Sequence, residues 1–233
     1  MFPMRKVKRE VKIGTVAIGA NNPVAVQTML NVPVADVAGN VAQAKRVAAA
    51  GCQILRASVP TLEDVRLVEA VKSAVEIPFV ADIHFNYKIA LACVDAGADK
   101  IRLNPGNIGA DENVRAVARA CNAKNIPIRI GVNAGSLEKE ILARYGAPVP
   151  EALVESALYH VGLLEKHDFN NIVISIKSSN VPTMMAAYRL LSEKCDYPLH
   201  VGVTEAGTAR MGLLKSAVGI GSLLLDGIGD TIR

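Results

Sequence analysis

The side chains with the most chemistry in this sequence are Arg56, Asp82, His84, Arg102, Asn104, Arg129, Asn133, Lys177, Thr204, Glu205 and Arg233, and nearly all of them close a short apolar run. Arginine presents a planar fork that matches phosphate oxygens bidentately, and lysine adds a compact point charge. Gathering like charges in a partly enclosed site is costly unless an anion joins them. Five cations at run ends (Arg56, Arg102, Arg129, Lys177 and Arg233) therefore ask for a phosphorylated, multiply charged ligand.

Spacing sharpens this. Side chains alternate across a strand, so Arg102 and Asn104 share one face, as do Asp82 and His84. The segments Arg102–Gly106 and Val203–Gly207 each leave a run through glycine, which lets backbone N–H groups come close to a ligand. Glu205 has two readings among these cations: it positions a substrate hydroxyl or relays a proton, or it forms a structural ion pair with Arg102 or Arg129. His84 likewise either donates to a phosphate and orients Asp82, or is a satisfied core histidine. Asp230 joins Arg233 at the end of the last run, whereas Arg115, Arg119 and Arg144 have the pattern of solvated surface charges. His160, His167 and His200 lie off the expected site or inside a run and receive no role.

The elements that must position these groups are legible in the periodicity. Apolar runs at Val24–Met29, Gln53–Ala57, Phe79–Ile83, Lys100–Leu103, Ile128–Val132, Ile172–Ile176, Leu199–Val203 and Gly227–Ile232 alternate with stretches of helical spacing, at intervals of roughly 25 to 40 residues. Their near-continuous, β-branched hydrophobicity fits parallel strands covered on both faces. Eight such units predict an α/β fold of the (β/α)₈ class, a TIM-type barrel over residues 1–233, with the active site at the carboxyl ends of the strands. Thr61 with Asp64 and, further on, Asp111 are expected helix caps, and Ala50-Gly51 and Ala96-Gly97 expected helix ends. Val11–Ile13 and Thr15–Ile18, flanking Gly14, predict a hairpin across the barrel bottom. The eighth run falls at the end of the chain, so the barrel is expected to stop after strand 8, leaving an apolar groove beside the first and seventh helices.

Composition bounds the rest. With 51% hydrophobic and 21% charged residues the chain has the make-up of one globular domain. No apolar run is long enough for a membrane span, and the basic opening stretch Met1–Arg9 lacks the apolar core of a secretory signal, so a cytoplasmic protein is expected. A mild net charge of +4 and only 4% aromatic residues argue against nucleic-acid binding. Cys52, Cys93, Cys121 and Cys195 are scattered singly, as small buried hydrophobes are, and Asp82 with His84 is only a two-ligand fragment, so no metal site is expected.

The segments Leu55-Arg-Ala-Ser-Val-Pro60, Ala81-Asp-Ile-His-Phe85, Ile101-Arg-Leu-Asn-Pro-Gly-Asn107, Arg129-Ile-Gly-Val-Asn133, Ser175-Ile-Lys-Ser178, Gly202-Val-Thr-Glu-Ala-Gly207 and Gly227-Ile-Gly-Asp-Thr-Ile-Arg233, with the opening Val26-Gln-Thr-Met29, resemble the 4-hydroxy-3-methylbut-2-enyl diphosphate synthase family in order along the whole chain. The resemblance implies a barrel like that of dihydropteroate synthase. It implies binding of 2-C-methyl-D-erythritol 2,4-cyclodiphosphate and its reductive ring opening in isoprenoid biosynthesis, with electrons from flavodoxin or ferredoxin through a [4Fe-4S] cluster. It further implies that Arg56, Arg102, Arg129 and Lys177 hold the diphosphate, that His84, Asn104, Asn133 and Arg233 complete the pocket, and that Asp82, Thr204 and Glu205 face the carbon skeleton. The family's cluster ligands belong to a C-terminal domain absent from this sequence, so the chain is expected to bind substrate without turning it over, and the full-length protein to be a homodimer. Two other readings remain open: a barrel that binds a pterin diphosphate, and a non-catalytic anion-binding scaffold.

Overall fold

The computed structural model describes residues 5–233, so Met1 to Met4 of the basic opening stretch lie outside the described residues. Strands β1 (Val11–Ile13) and β2 (Val16–Ile18) pair antiparallel around Gly14, whose φ of +53° suits glycine in a tight turn. Val11, Ile13 and Ile18 bury against Ala25, Ile54, Val80 and Val173, which stand at or near the amino ends of the barrel strands. The expected hairpin thus plugs the bottom of the barrel.

Eight parallel strands follow: β3 (Ala25–Met29), β4 (Ile54–Ser58), β5 (Phe79–Asp82), β6 (Lys100–Arg102), β7 (Ile128–Asn133), β8 (Ile172–Lys177), β9 (His200–Val201) and β10 (Thr231–Ile232). Each of the eight overlaps an expected run. Their order in the sheet is β8-β7-β6-β5-β4-β3-β10-β9, and a parallel bridge between Ile174 and Leu199 joins the two ends, leaving a nearly closed barrel. Every residue of β8 is buried, as a strand covered on both faces must be.

The last two strands are shorter than their runs. Gly227 (φ +73°) and Gly229 (φ +123°) turn the chain before β10, and the Asp230 carboxylate accepts the Leu199 N–H at 2.7 Å while pairing with Arg5. Asp230 consequently sits at the amino end of its strand, away from the mouth where the sequence reading put it. Tyr188 compensates for the brevity of β9: its buried hydroxyl donates to the His200 carbonyl at 2.5 Å and accepts the Ile176 N–H at 3.0 Å, pinning β8 and β9 to one helix.

The helices are α1 (Val37–Ala49), α2 (Arg66–Lys72), α3 (Tyr87–Asp95), α4 (Asp111–Ala123), α5 (Lys139–Tyr145), α6 (Pro150–Glu165), α7 (Val181–Lys194) and α8 (Ala209–Leu225); both α5 and α6 follow β7. Gly51 and Gly97, at φ +91° and +90°, terminate α1 and α3 as expected. The Thr61–Asp64 pair forms, with Thr61 Oγ1 donating to Asp64 at 2.6 Å, but it precedes a 3₁₀ turn rather than capping α2. Asp111 is not a cap: it lies inside the first turn of α4, after Ala110, and its carboxylate turns to Lys166 and His167.

Helix α8 packs on α7 yet leaves Met211, Leu213, Leu214, Val218 and Leu225 exposed, and Val26 on β3 is exposed beside it in the barrel order. Of the groove expected beside the first and seventh barrel helices, the bare apolar face lies on α8, the helix after the seventh barrel strand, whereas Val37, Val41 and Val47 of α1 pack against the core. No helix among the described residues is long and apolar enough to cross a membrane.

Candidate anion-binding site

Because the strands run parallel, their carboxyl ends meet at one mouth, and the polar residues that close each strand meet there too. Arg56, His84, Arg102, Asn104, Arg129, Asn133, Lys177, Thr204 and Arg233 line a single cavity of about 320 Å³. They come from β4, β6, β7 and β8 and from the turns leaving β5, β6, β9 and β10. Nine of the side chains singled out from the sequence are brought together.

Asp82 is placed differently. It is 2% exposed and does not line the cavity; beneath the floor its two carboxylate oxygens take Arg56 and, at 3.1 Å, Arg102. Burial pushes this carboxyl up, but the charges of Arg56 and Arg102 outweigh burial and hold it below the ordinary range. Asp82 thus orients two guanidinium groups from outside the cavity lining, where the sequence expectation put it against the ligand. Glu205 departs further from expectation. Its left-handed backbone (φ +48°) turns the side chain into solvent, outside the cavity wall, and neither of the expected ion pairs, to Arg102 or Arg129, forms.

Asn104 is committed to the scaffold as well. Its amide nitrogen donates to the Gly131 carbonyl at 3.1 Å and its oxygen accepts the Gly131 N–H at 2.8 Å, so the side chain continues the ladder between β6 and β7 where the backbone of β6 has ended. Asn133 accepts the Gly135 N–H at 3.3 Å, ordering the turn after β7. His84 stands exposed on the rim beside Phe85.

The electrostatics are lopsided. Among the described residues that line or underlie the cavity, six basic side chains meet one carboxylate, Asp82. The buried Arg129 finds only the Ser175 hydroxyl, the Lys177 ammonium nitrogen has no partner, and Arg233 approaches no acceptor better than Met29 Sδ at 3.7 Å. Burial first, then Arg233 and Arg129, push the Lys177 amine well below its ordinary value. Arginine holds its proton in proteins, so the like-charge strain falls on the amines.

The sixth cation is Lys100, which the sequence reading passed over. It is fully buried under Arg129 and Arg56 with only Gln27 Oε1 at 3.4 Å, and burial drives its amine well below the ordinary value. Its signal was present, since residues 100, 102 and 104 share one face of β6 and its extension. His200 is also inside the barrel, at 3.2 Å from Thr231 Oγ1, and burial with Arg129 and Lys177 nearby keeps it neutral. Asn107, Ser136 and Ser175 complete the lining.

A [4Fe-4S] cluster does not fit the residues present. Among the described residues no group of three His, Cys, Asp or Glu side chains could hold a metal. Cys93 and Cys121 lie buried in the core, and burial alone pushes each thiol up to about 12, far from the thiolate a cluster needs.

Fold and site together define a (β/α)₈ barrel with a polycationic mouth. The model of the GcpE TIM-barrel domain family matches residues 8–233, and the chain belongs to that family. It is 56% identical over 233 residues to "4-hydroxy-3-methylbut-2-en-1-yl diphosphate synthase (flavodoxin)" of Caldanaerobacter subterraneus subsp. tengcongensis and 54% identical over 230 residues to the protein of that name from Fusobacterium nucleatum. All, or 99%, of this chain aligns, but it spans only 66% and 65% of those relatives. Among solved structures, dihydropteroate synthase from Stenotrophomonas maltophilia superposes with a TM-score of 0.69 at 15% identity over 96% of this chain and 91% of the other. A phospho-2-dehydro-3-deoxyheptonate aldolase from Thermotoga maritima gives 0.68 at 12% identity over 100% of this chain and 67% of the other. At such identities these two likenesses speak for the barrel alone.

Proposed function

We propose that this chain is the substrate-binding barrel of a 4-hydroxy-3-methylbut-2-enyl diphosphate synthase and that its mouth binds 2-C-methyl-D-erythritol 2,4-cyclodiphosphate. The observation that carries the reading is the excess of cations: five Lys and Arg side chains line a cavity of about 320 Å³, with Lys100 and the single carboxylate of Asp82 buried behind them. That excess suits a compact molecule that is mostly phosphate. A pterin diphosphate would bring phosphates as well, but also a flat ring that the cations do not answer.

The chain's own groups bind and orient. Arg56 and Arg102, aligned by Asp82, present two forks to the diphosphate, with Arg129 beside Arg102 on the next strand and Lys177 and Arg233 completing the ring of charge. His84 and Thr204, nearer the rim, face the carbon skeleton and its hydroxyls. Asn104 and Asn133 hold the two turns that frame the cavity. Ring opening breaks a carbon–oxygen bond to the diphosphate and expels a hydroxyl as water, consuming two electrons and two protons. The family resemblance assigns the electrons to a [4Fe-4S] cluster fed by flavodoxin, the donor in the relatives' names, or by ferredoxin, a cluster that the described residues do not fit. The setting proposed is the cytoplasm, with the full-length protein a homodimer.

Competition calorimetry tests the reading. The cyclodiphosphate is expected to bind and to resist displacement by a pterin diphosphate. Equal competition by the pterin would favour the dihydropteroate-synthase-like alternative, and indifference to the organic part of either ligand a plain anion scaffold.

A further inference from the structure

His160, on α6 and outside the cavity, holds together the two turns that frame it. The ring is 1% exposed. Its Nδ1 accepts the Gly106 N–H at 3.2 Å, and its Nε2 lies 2.7 Å from Glu138 Oε1. An Nδ1 that accepts is unprotonated, so the proton is on Nε2 and is donated to the carboxylate. Gly106 belongs to the 3₁₀ turn after β6 (Pro105–Asn107), which follows Asn104 directly and carries Asn107 on the cavity wall. Glu138 opens α5, just past the turn after β7 that carries Asn133 and Ser136 on the same wall. One imidazole therefore spans two segments of the mouth whose other side-chain bonds, among the described residues, are those of Arg102 and Asn104 to Gly131.

The fit is close. A methyl group at Gly106 would come within 2.8 Å of His160 Cε1, so the turn can approach the ring only as glycine. Glu138 is anchored in return: burial pushes its carboxyl up, and the bond from His160, with Ser156 alongside, outweighs burial and holds it at about 2.

We propose that His160 is a positioning residue of the anion site, a neutral imidazole that clamps the turn after β6 to the turn after β7 and so sets the width of the mouth. The inference rests on the mouth being an anion site, and parent binding of inorganic pyrophosphate reports on that premise separately from the variants.

Calorimetric titration of the chain with pyrophosphate, and in parallel with the cyclodiphosphate, compares His160→Ala, His160→Gln, Gly106→Ala and, as a control for general destabilisation, Tyr197→Phe. Tyr197 bonds Glu165 and Asn170, and its hydroxyl makes no contact with the mouth. His160→Ala and Gly106→Ala are expected to weaken both ligands about tenfold, the equivalent of one buried hydrogen bond of about 1.4 kcal/mol. Glutamine, whose amide spaces an acceptor and a donor as the ring does, is expected to restore most of that. Tyr197→Phe is expected to lower the melting temperature while leaving affinity alone. Unchanged pyrophosphate affinity in His160→Ala, or a loss that Tyr197→Phe reproduces at equal destabilisation, would overturn the proposal. A parent that binds neither ligand would overturn it together with its premise, whereas a parent that binds pyrophosphate but not the cyclodiphosphate would sink only the proposed substrate.

Discussion

Arg102 lies directly on Gly131: its Nη2 donates to the Gly131 carbonyl at 2.9 Å, and a methyl group on that residue would come within 2.6 Å of Arg102 Nε. The two strands exchange a large side chain for a missing one, which is how a guanidinium can lie flat on the barrel floor. Gly131→Ala is expected to expel Arg102 from the cavity. Pyrophosphate affinity should fall roughly 10- to 100-fold, the range of a charge-assisted hydrogen bond, and stability should fall too, since Asp82 loses one of its two buried partners. Titration beside a thermal melt checks this, and unchanged affinity would mean that Arg102 does not contact the anion.

Asp82 bridges Arg56 and Arg102 from below. Asp82→Asn keeps the shape and leaves two buried guanidinium groups without a counter-charge, so it should destabilise the ligand-free chain by about 3–5 kcal/mol. Urea denaturation measures the loss. A change below about 1 kcal/mol, the scale of a solvated surface pair, would show that the bridge is not held in solution.

Lys177 makes ligand binding a proton-linked event. The amine faces Arg56 from β4, Arg102 from β6, Arg129 from β7 and Arg233 beyond β10, with Asp82 the one opposing charge and His200 neutral on β9; its pKa lies well below 10.5. A bound diphosphate reverses that field and draws the proton back, so binding should take up protons at pH values between the free and bound pKa. The unfolded chain carries that proton up to its ordinary pKa, so through the same window it binds more protons than the folded chain. Ligand-free stability should therefore rise with pH and level off near 10.5. Calorimetry in buffers of different ionisation enthalpy reads the uptake, which Lys177→Met should reduce; buffer-independent enthalpies in both proteins would contradict the linkage.

Much of this was legible in the sequence alone. The strand runs were, because parallel strands covered on both faces cannot hide their hydrophobicity, and so were nine of the cavity residues, because a barrel of this class delivers strand ends to one mouth. Depth was not: alternation says that Asp82 and His84 share a face, but only the packing shows that one is buried under two arginines while the other reaches the rim. Glu205 was misplaced because closing a run does not aim a side chain inward: the left-handed backbone in the turn after β9 points it into solvent. Asp230 was assigned to the wrong end because its run begins with two glycine turns rather than strand. His160 has no sequence signal at all, since its partners lie 54 residues before it and, at Glu138, beyond another turn.

The central claim is that the mouth is a site for the cyclodiphosphate, and calorimetric titration of the chain with that compound, beside an Arg56→Ala, Arg102→Ala double variant, tests it most directly. Saturable binding by the parent that the variant loses is the predicted result. Binding that survives removal of both guanidinium groups, or its absence in a folded parent, would contradict the account.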